Sequence, residues 1–395
     1  MAALLILLVV LVVVYAVVEL VRPTPNLSLK AALPGHVAVP GAAVSLPWPS
    51  SGTAAMAVGG VGQVGSSGGD TVVPLASVTK MMTALVVLHD HPLAATAAGP
   101  SITVTPADVN DYQARHADQE SVVAVQAGEV LSERQALEGL LLPSGNNIAD
   151  VLAEWDAGGT SAFVAKMNAA ASSLGLNHTH YVDPSGIDPR SVGTASEQVK
   201  LAEVVMGLPA FASIVDEPQA TLPVAGVVYN VNGLVGQDGI VGVKTGSTPE
   251  DGSNLVFAAD RTVGGHPVVV YGAVFGQKGT SPMATTFAET KALLGAMTPA
   301  LRPVNVVAKG GEAAKIRGEW GADIPAAATE AVSFVGWTGM SVSTRVTADR
   351  LGQSVKEGEK VGSLRVSEGG QSFRVPLVAS HRASGPSLSW RLRRL

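Results

Sequence analysis

The chain contains no cysteine among its 395 residues. This absence excludes a disulfide framework, thiol catalysis and zinc sites built on cysteine. Aromatic residues make up only 4% of the sequence although hydrophobic residues make up 47%, so the core has to rest on alanine, valine and leucine. The net charge is −6, and no basic patch with interleaved aromatic residues occurs. Nucleic acid is therefore not an expected partner.

A long hydrophobic run is present at the N-terminus. Residues 2–18 are apolar without a charge, and the run resumes at Leu20 and Val21 beyond Glu19. Its length approaches that of a bilayer-spanning helix and exceeds the core of a typical signal peptide. We predict an uncleaved signal-anchor transmembrane helix at residues 1–22, with everything after it outside the cytoplasm. The alternative is a cleaved signal peptide.

Composition divides the rest of the chain into three segments. Residues 23–50 are rich in proline and lack periodicity, which is typical of an extended linker. Residues 51–300 alternate between strand-like runs and helical patterns, and we expect them to form the main domain. Residues 301–395 show short alternating runs punctuated by glycine and proline, which indicates a separate small β domain.

Several elements of the main domain are predicted directly. Ser77–Leu88 has a helical pattern, and residues 130–176 are mostly helical. A first strand is predicted at Ala54–Val61 and a last helix at Thr285–Met297. Three further strand-like runs have short connections and are expected to be antiparallel neighbours, namely Ile240–Thr245, Asn254–Ala259 and Pro267–Phe275.

Ser77 and Lys80 lie three residues apart at a predicted helix start, so their side chains share one face of the helix. The unpaired N–H groups of a helix start suit an oxyanion. Lys80 can serve as a base for the Ser77 hydroxyl when its pKa is lowered by burial and by a second cation. Lys244 is the candidate for that cation.

Two further motifs carry polar chemistry. Ser144 and Asn146 follow an apolar run that predicts a buried helix end turning into a loop, where a hydroxyl relays protons and an amide binds a lysine and a carbonyl group. Lys244, Thr245 and Gly246 end a predicted strand. The glycine lets a substrate strand approach this edge, and Lys244 and Thr245 would bind its terminal carboxylate.

Each motif is weak alone, because a helix cap, a polar turn and a charged edge lysine are ordinary structural features. Together and in this order they supply a nucleophile, a base, a proton relay and an anion anchor. We therefore predict acyl transfer through a serine ester. His178 and His180, with Asp183 nearby, suggest a metal site. No H-E-x-x-H motif is present and Asp183 is not a convincing third donor, so we expect neither a metal nor a cofactor.

The sequence around these motifs resembles the penicillin-binding-protein and serine β-lactamase group, and within it the low-molecular-mass serine D-Ala-D-Ala carboxypeptidases. The stretches that carry the resemblance are Pro74–Leu85, Gly139–Asn147, Phe163–Asn168, Asp183–Ile187 and Gly242–Thr248. The resemblance implies an α/β transpeptidase fold of the penicillin-binding-protein type, in which an antiparallel sheet is flanked by helices and accompanied by a helical subdomain.

The resemblance also implies roles. Ser77 would be the acylated nucleophile and Lys80 its base, while Ser144 and Asn146 would support proton transfer and hold the substrate. Lys244 and Thr245, followed by Gly246, would bind the terminal carboxylate of the substrate. Backbone N–H groups of Ser77 and Ser247 would form the oxyanion hole.

The implied substrate is the D-Ala-D-Ala end of a peptidoglycan stem peptide, and β-lactams would inhibit by acylating Ser77. The catalytic domain would lie outside the bacterial cell membrane, which the N-terminal helix would bind. Three departures from the family pattern stand out. Asn147 occupies a position where many members have aspartate, only Lys278 is available where some members use an arginine, and the anchor is N-terminal rather than C-terminal.

Three alternatives remain open from the sequence. A β-lactamase on the same fold is disfavoured because Asp183–Gly186 contains no glutamate for deacylation. Peptidoglycan endopeptidase or weak transpeptidase activity would use the same acyl-enzyme. A non-catalytic cell-wall scaffold is disfavoured by the intact Ser77, Lys80 and Lys244.

Overall fold

The computed structural model of the chain describes residues 2–368 and 371–394. The helices are α1 (Ala2–Val21), α2 (Lys80–Asp90), α3 (Pro106–Ala117), α4 (Glu133–Leu141), α5 (Asn146–Ala157), α6 (Thr160–Ser173), α7 (Ala195–Met206), α8 (Pro209–Val215), α9 (Pro282–Met297) and α10 (Leu388–Arg393). The strands before residue 300 are β1 (Ser28–Ala31), β2 (His36–Ala38), β3 (Thr53–Val58), β4 (Gly62–Ser67), β5 (Val73–Pro74), β6 (Ser101–Thr103), β7 (Val130–Ser132), β8 (Val192–Gly193), β9 (Gln219–Leu222), β10 (Gly226–Tyr229), β11 (Ile240–Thr248), β12 (Gly252–Val263) and β13 (His266–Gln277). The later strands are β14 (Leu301–Val307), β15 (Glu312–Arg317), β16 (Asp323–Ala328), β17 (Val332–Trp337), β18 (Ser341–Ala348), β19 (Lys360–Glu368) and β20 (Gln371–Ala379).

The chain divides into two units. Residues 44–301 form one, and residues up to Ala43 together with those from Arg302 onward form the other. The first unit contains an antiparallel sheet in the order β11-β12-β13-β3-β4. Every residue of β3 is buried, so both faces of the sheet are covered, since successive side chains point to opposite faces. The predicted α/β class with a helix-flanked antiparallel sheet is confirmed.

Helices cover this sheet and build the subdomain beside it. Helices α7 and α9 pack on β13, and α2 packs against α5, α6 and α7. Helix α4 begins with a capping box, in which the Ser132 hydroxyl accepts from the Gln135 N–H and the Gln135 side chain accepts from the Ser132 N–H. It ends at Leu141, two residues before Pro143, and the chain then turns and presents Ser144 ahead of α5.

The second unit contains a seven-stranded sheet in the order β1-β15-β16-β20-β19-β18-β2. Its two edge strands, Ser28–Ala31 and His36–Ala38, come from the segment that the sequence predicts as a linker. The linker prediction is therefore corrected for these residues. Short edge strands beside prolines are compatible with a sheet, because the outer side of an edge needs no partner.

Helix α1 is long and apolar enough to cross a membrane, and most of its side chains are exposed. Its C-terminal end contacts α10. The Tyr15 hydroxyl donates to the Leu392 carbonyl at 3.3 Å, and the Arg394 guanidinium donates to the Glu19 carboxylate at 3.2 Å and to the Arg22 carbonyl at 2.6 Å. These bonds attach the end of the hydrophobic helix to its own unit.

Candidate active site

Ser77 lies in a 3₁₀ turn, Ala76–Thr79, that leads directly into α2. It is partly exposed, whereas Val78 and Thr79 beside it are buried. Ala76 adopts a left-handed backbone (φ 49°), which is unusual for a residue with a Cβ and is found most often at functional sites. The carbonyl of Ala76 faces Gly186, where an added Cβ would approach within 1.9 Å, so this contact requires glycine.

Lys80 is fully buried at the start of α2. Its Nζ atom lies 2.7 Å from Ser77 Oγ, 2.6 Å from Asn146 Oδ1 and 2.9 Å from the Ser185 carbonyl oxygen. Burial lowers the pKa of Lys80 well below its usual value, and the charge of Lys244 lowers it further. The arrangement therefore places a lysine that favours its neutral form against the accessible hydroxyl.

The loop after α6 supplies the Ser185 carbonyl through a turn organised by Asp183. The carboxylate of Asp183 accepts from the N–H and the hydroxyl of Ser185 at 2.8 and 2.7 Å, and from the Ser191 hydroxyl at 2.9 Å. Thr83 on α2 donates to the Pro184 carbonyl at 2.6 Å and ties the turn to the helix. Asp183, considered above for a metal site, thus shapes this turn instead.

Ser144 and Asn146 flank the turn between α4 and α5. Ser144 has a left-handed backbone (φ 68°), and its hydroxyl accepts from Lys244 Nζ at 3.0 Å. Lys244 also donates to the Thr245 carbonyl at 3.0 Å, and burial lowers its pKa to about 7. The structure thereby joins residues of all three motifs in one site.

Strand β11 passes close to the 3₁₀ turn that carries Ser77. A Cβ added to Gly246 would lie 2.8 Å from the Leu75 carbonyl oxygen and 3.0 Å from the backbone nitrogen of Ser77, so the close approach depends on glycine. Thr245 is buried beside it, and Ser247 is exposed at the end of the strand.

Sequence reasoning missed several residues that hold this geometry. Asn254 on β12 donates to the carbonyls of Pro74 and Leu75 at 3.0 and 3.2 Å and fixes the segment before Ser77. Asn146 Nδ2 donates to Glu120 Oε2 at 2.7 Å. An asparagine directly before the apolar run of β12 is a signal that the sequence does contain, whereas nothing near Glu120 marks it.

The departures from the family pattern have structural counterparts. The side chain of Asn147 accepts from the Val123 N–H and donates to the Val123 carbonyl, both at 2.9 Å, so it supports the loop that contains Val123. Lys278 is exposed directly after β13.

The residues considered for a metal site do not form one. His178 pairs with Glu197 at 3.2 Å, and no group of three or more potential metal ligands lies together among residues 2–368 and 371–394.

Comparison with known proteins identifies the class. The sequence profile of the D-alanyl-D-alanine carboxypeptidase family matches residues 60–275, more than half of the chain, and the chain belongs to this family of serine peptidases. The predicted family and enzyme class are confirmed.

Individual relatives agree with this assignment. The chain is 39% identical over 217 residues to the D-alanyl-D-alanine carboxypeptidase DacB2 of Mycobacterium tuberculosis. The aligned region covers 51% of this chain and 67% of the relative. It is 36% identical over 217 residues to the D-alanyl-D-alanine carboxypeptidase of a Streptomyces species, with 51% and 72% covered. A D-alanyl-D-alanine endopeptidase of Pseudomonas aeruginosa is 34% identical over 195 residues, with 47% and 59% covered.

Solved structures confirm the predicted fold. Penicillin binding protein 5 from Haemophilus influenzae superposes with a TM-score of 0.65 at 21% identity, covering 86% of this chain and all of the other chain (100%). The Streptomyces K15 DD-transpeptidase superposes with a TM-score of 0.54 at 29% identity, covering 66% of this chain and 98% of that one.

Proposed function

We propose that this chain is a serine-type D-alanyl-D-alanine carboxypeptidase that removes the terminal D-Ala from peptidoglycan stem peptides and is acylated by β-lactams. The observation that carries the proposal is the 2.7 Å contact between the buried Lys80 amine and the hydroxyl of the partly exposed Ser77. The family match and the relatives named as carboxypeptidases support the substrate class.

In the proposed acylation step, neutral Lys80 takes the proton of Ser77 while Oγ forms a bond to the carbonyl carbon of the penultimate D-Ala. The N–H groups of Ser77 and Ser247 stabilise the oxyanion. The peptide C–N bond then breaks, and the proton held by Lys80 passes to the departing D-Ala amine with the help of Ser144. In the second step the oxygen of a water molecule bonds to the acyl carbon, the ester C–O bond breaks, and a proton from the water restores the Ser77 hydroxyl.

The proposed substrate ends in a free carboxylate, which a cationic side chain in the site would bind. Lys244, held beside Ser144 and followed by Thr245 and Gly246, is the proposed anchor for that carboxylate. Endopeptidase activity is the second candidate, because one of the relatives at 34% identity is named an endopeptidase.

We further propose that residues 51–300 form the catalytic domain and that α1 anchors the chain in the bacterial cell membrane with this domain outside the cytoplasm. The unit at residues 44–301 and the length and composition of α1 support this arrangement.

The proposal is tested by incubating the detergent-solubilised full chain with a D-Ala-D-Ala pentapeptide and measuring released D-Ala. We expect release by the wild type, and a loss of at least about 100-fold in Ser77→Ala and in Lys80→Ala. Both variants should also lose the covalent adduct with a fluorescent penicillin. Release by Ser77→Ala would refute the assignment, preferential cleavage of a cross-linked dimer would favour the endopeptidase, and release of bound penicillin within seconds would indicate a β-lactamase.

A further inference from the structure

Glu120 lies in the loop between α3 and β7, where its carboxylate is held from two sides. One oxygen, Oε2, accepts from Arg115 at 2.7 Å and from Asn146 Nδ2 at 2.7 Å. Arg115 is itself fixed by Asp111 at 2.9 Å and Asp150 at 2.6 Å. Glu120 is therefore an immobilised acceptor next to a residue of the proposed site.

This acceptor determines which way the Asn146 amide faces. A carboxylate only accepts hydrogen bonds, so Asn146 has to turn its NH₂ group toward Glu120. Its carbonyl oxygen Oδ1 then faces Lys80 Nζ, at 2.6 Å. The backbone of Asn146 is fixed as well, because its N–H donates to the Ser121 carbonyl at 2.7 Å.

The orientation of the amide decides what the Lys80 amine can do. A neutral amine has two N–H groups and one lone pair. Asn146 Oδ1 and the Ser185 carbonyl both accept from Lys80, so they take both N–H groups and leave the lone pair for the Ser77 hydroxyl. A reversed amide would donate to that lone pair and compete with Ser77 for it.

We propose that Glu120 is a positioning residue for acylation, whose carboxylate fixes the amide of Asn146 so that the lone pair of Lys80 stays directed at the Ser77 hydroxyl. This inference rests on the proposed function, in which Lys80 takes the Ser77 proton. Besides Glu120, the charged groups that act on Lys80 are Lys244, Asp183 and Arg115.

Three variants separate orientation from charge. Glu120→Gln keeps one acceptor oxygen, which Arg115 holds in place, so acylation by a fluorescent penicillin should stay within about threefold of the wild-type rate. Glu120→Ala and Glu120→Met remove the acceptor and free the amide, and the acylation rate constant should fall by about 10- to 100-fold. The loss should lie in the rate at saturating penicillin rather than in the half-saturating concentration. Glu154→Gln, on the exposed surface of α5, is the matched control.

The outcomes are distinct. Acylation of Glu120→Ala and Glu120→Met at the wild-type rate would overturn the inference, and so would a Glu120→Gln variant as slow as both. Thermal melting of each variant verifies that it is folded. If Glu120→Ala does not melt cooperatively, the comparison uses Glu120→Met instead. A wild-type chain that forms no penicillin adduct at all would instead refute the proposed function, and the inference with it.

Discussion

Two buried lysines share the candidate site, and their positive charges repel each other. Burial lowers the pKa of both Lys80 and Lys244, and the charge of Lys244 contributes to the shift of Lys80. The proposed roles need opposite protonation states, since a base has to be neutral and a carboxylate anchor has to be charged. Besides burial, which lowers the pKa of both lysines, the charge of Lys244 favours the neutral form of Lys80.

This arrangement predicts an alkaline limit to activity. Lys244, with a pKa of about 7, is charged below that pH and becomes neutral above it in the free enzyme. The value of kcat/KM for a peptide ending in a D-Ala carboxylate should fall by up to about tenfold per pH unit above 7. The same peptide with a carboxamide end has no charge to bind, and its profile should lack this decline. Identical alkaline limbs for both peptides would contradict the role of Lys244.

The residues that carry the chemistry could be predicted because they lie in three short motifs of fixed spacing. Their supporting residues could not. Glu120 acts on Asn146 through a hydrogen bond from a loop to a distant part of the chain, and such long-range pairing leaves no periodic pattern in the sequence. Ser77 lies in a 3₁₀ turn rather than in the predicted helix, and the Ala76 carbonyl of this turn contacts Gly186, a tertiary contact that the local pattern does not reveal.

At the scale of elements, helix α4 contains a buried carboxylate. Glu133 follows the capping residue Ser132 and is fully buried, and both its oxygens lack a hydrogen-bond partner among the described residues. Burial raises its pKa from 4.5 to about 7. The helix start favours a negative charge here, but this field does not replace lost hydration.

The shift makes stability depend on pH. The unfolded chain releases this proton near pH 4.5, whereas the folded chain keeps it up to about pH 7, so rising pH over this window favours unfolding. The contribution reaches up to about 3 kcal/mol. Denaturant unfolding measures the free energy of unfolding of Glu133→Gln and of the wild type at each pH. The difference between them should favour Glu133→Gln more at pH 8 than at pH 4.5. The exposed Glu154→Gln should show no such change, and a pH-independent difference for Glu133→Gln would disprove the shift.

The edge strands of the second unit show why one element prediction failed. Ser28–Ala31 and His36–Ala38 are too short to display alternation, and the prolines around them suggest a linker. Their pairing partners, β15 and β18, lie hundreds of residues later in the chain. The longer strands β11, β12 and β13 were recognisable because their apolar runs exceed the length of a turn.

At the scale of the whole molecule, the proposed membrane attachment rests on α1. Arginine near the centre of a spanning helix costs about 2.5–3.5 kcal/mol on the insertion scale. The double variant Leu11→Arg, Val12→Arg should therefore be found in the supernatant rather than in the membrane pellet after an alkaline carbonate wash. The matched variant Leu11→Ile, Val12→Ile should stay in it. Equal retention of both would assign the attachment to another part of the chain.

The early start of β1 leaves only a short connection between helix α1 and the unit that follows it. Only residues 22–27 separate α1 from the first strand, and their extended length is at most about 20 Å. The Leu27 N–H is already bonded to the Gly352 carbonyl at 2.9 Å. With α1 in a bilayer, the β unit is therefore confined to the lipid surface and diffuses sideways with its anchor, within reach of headgroups rather than deep in the cell wall.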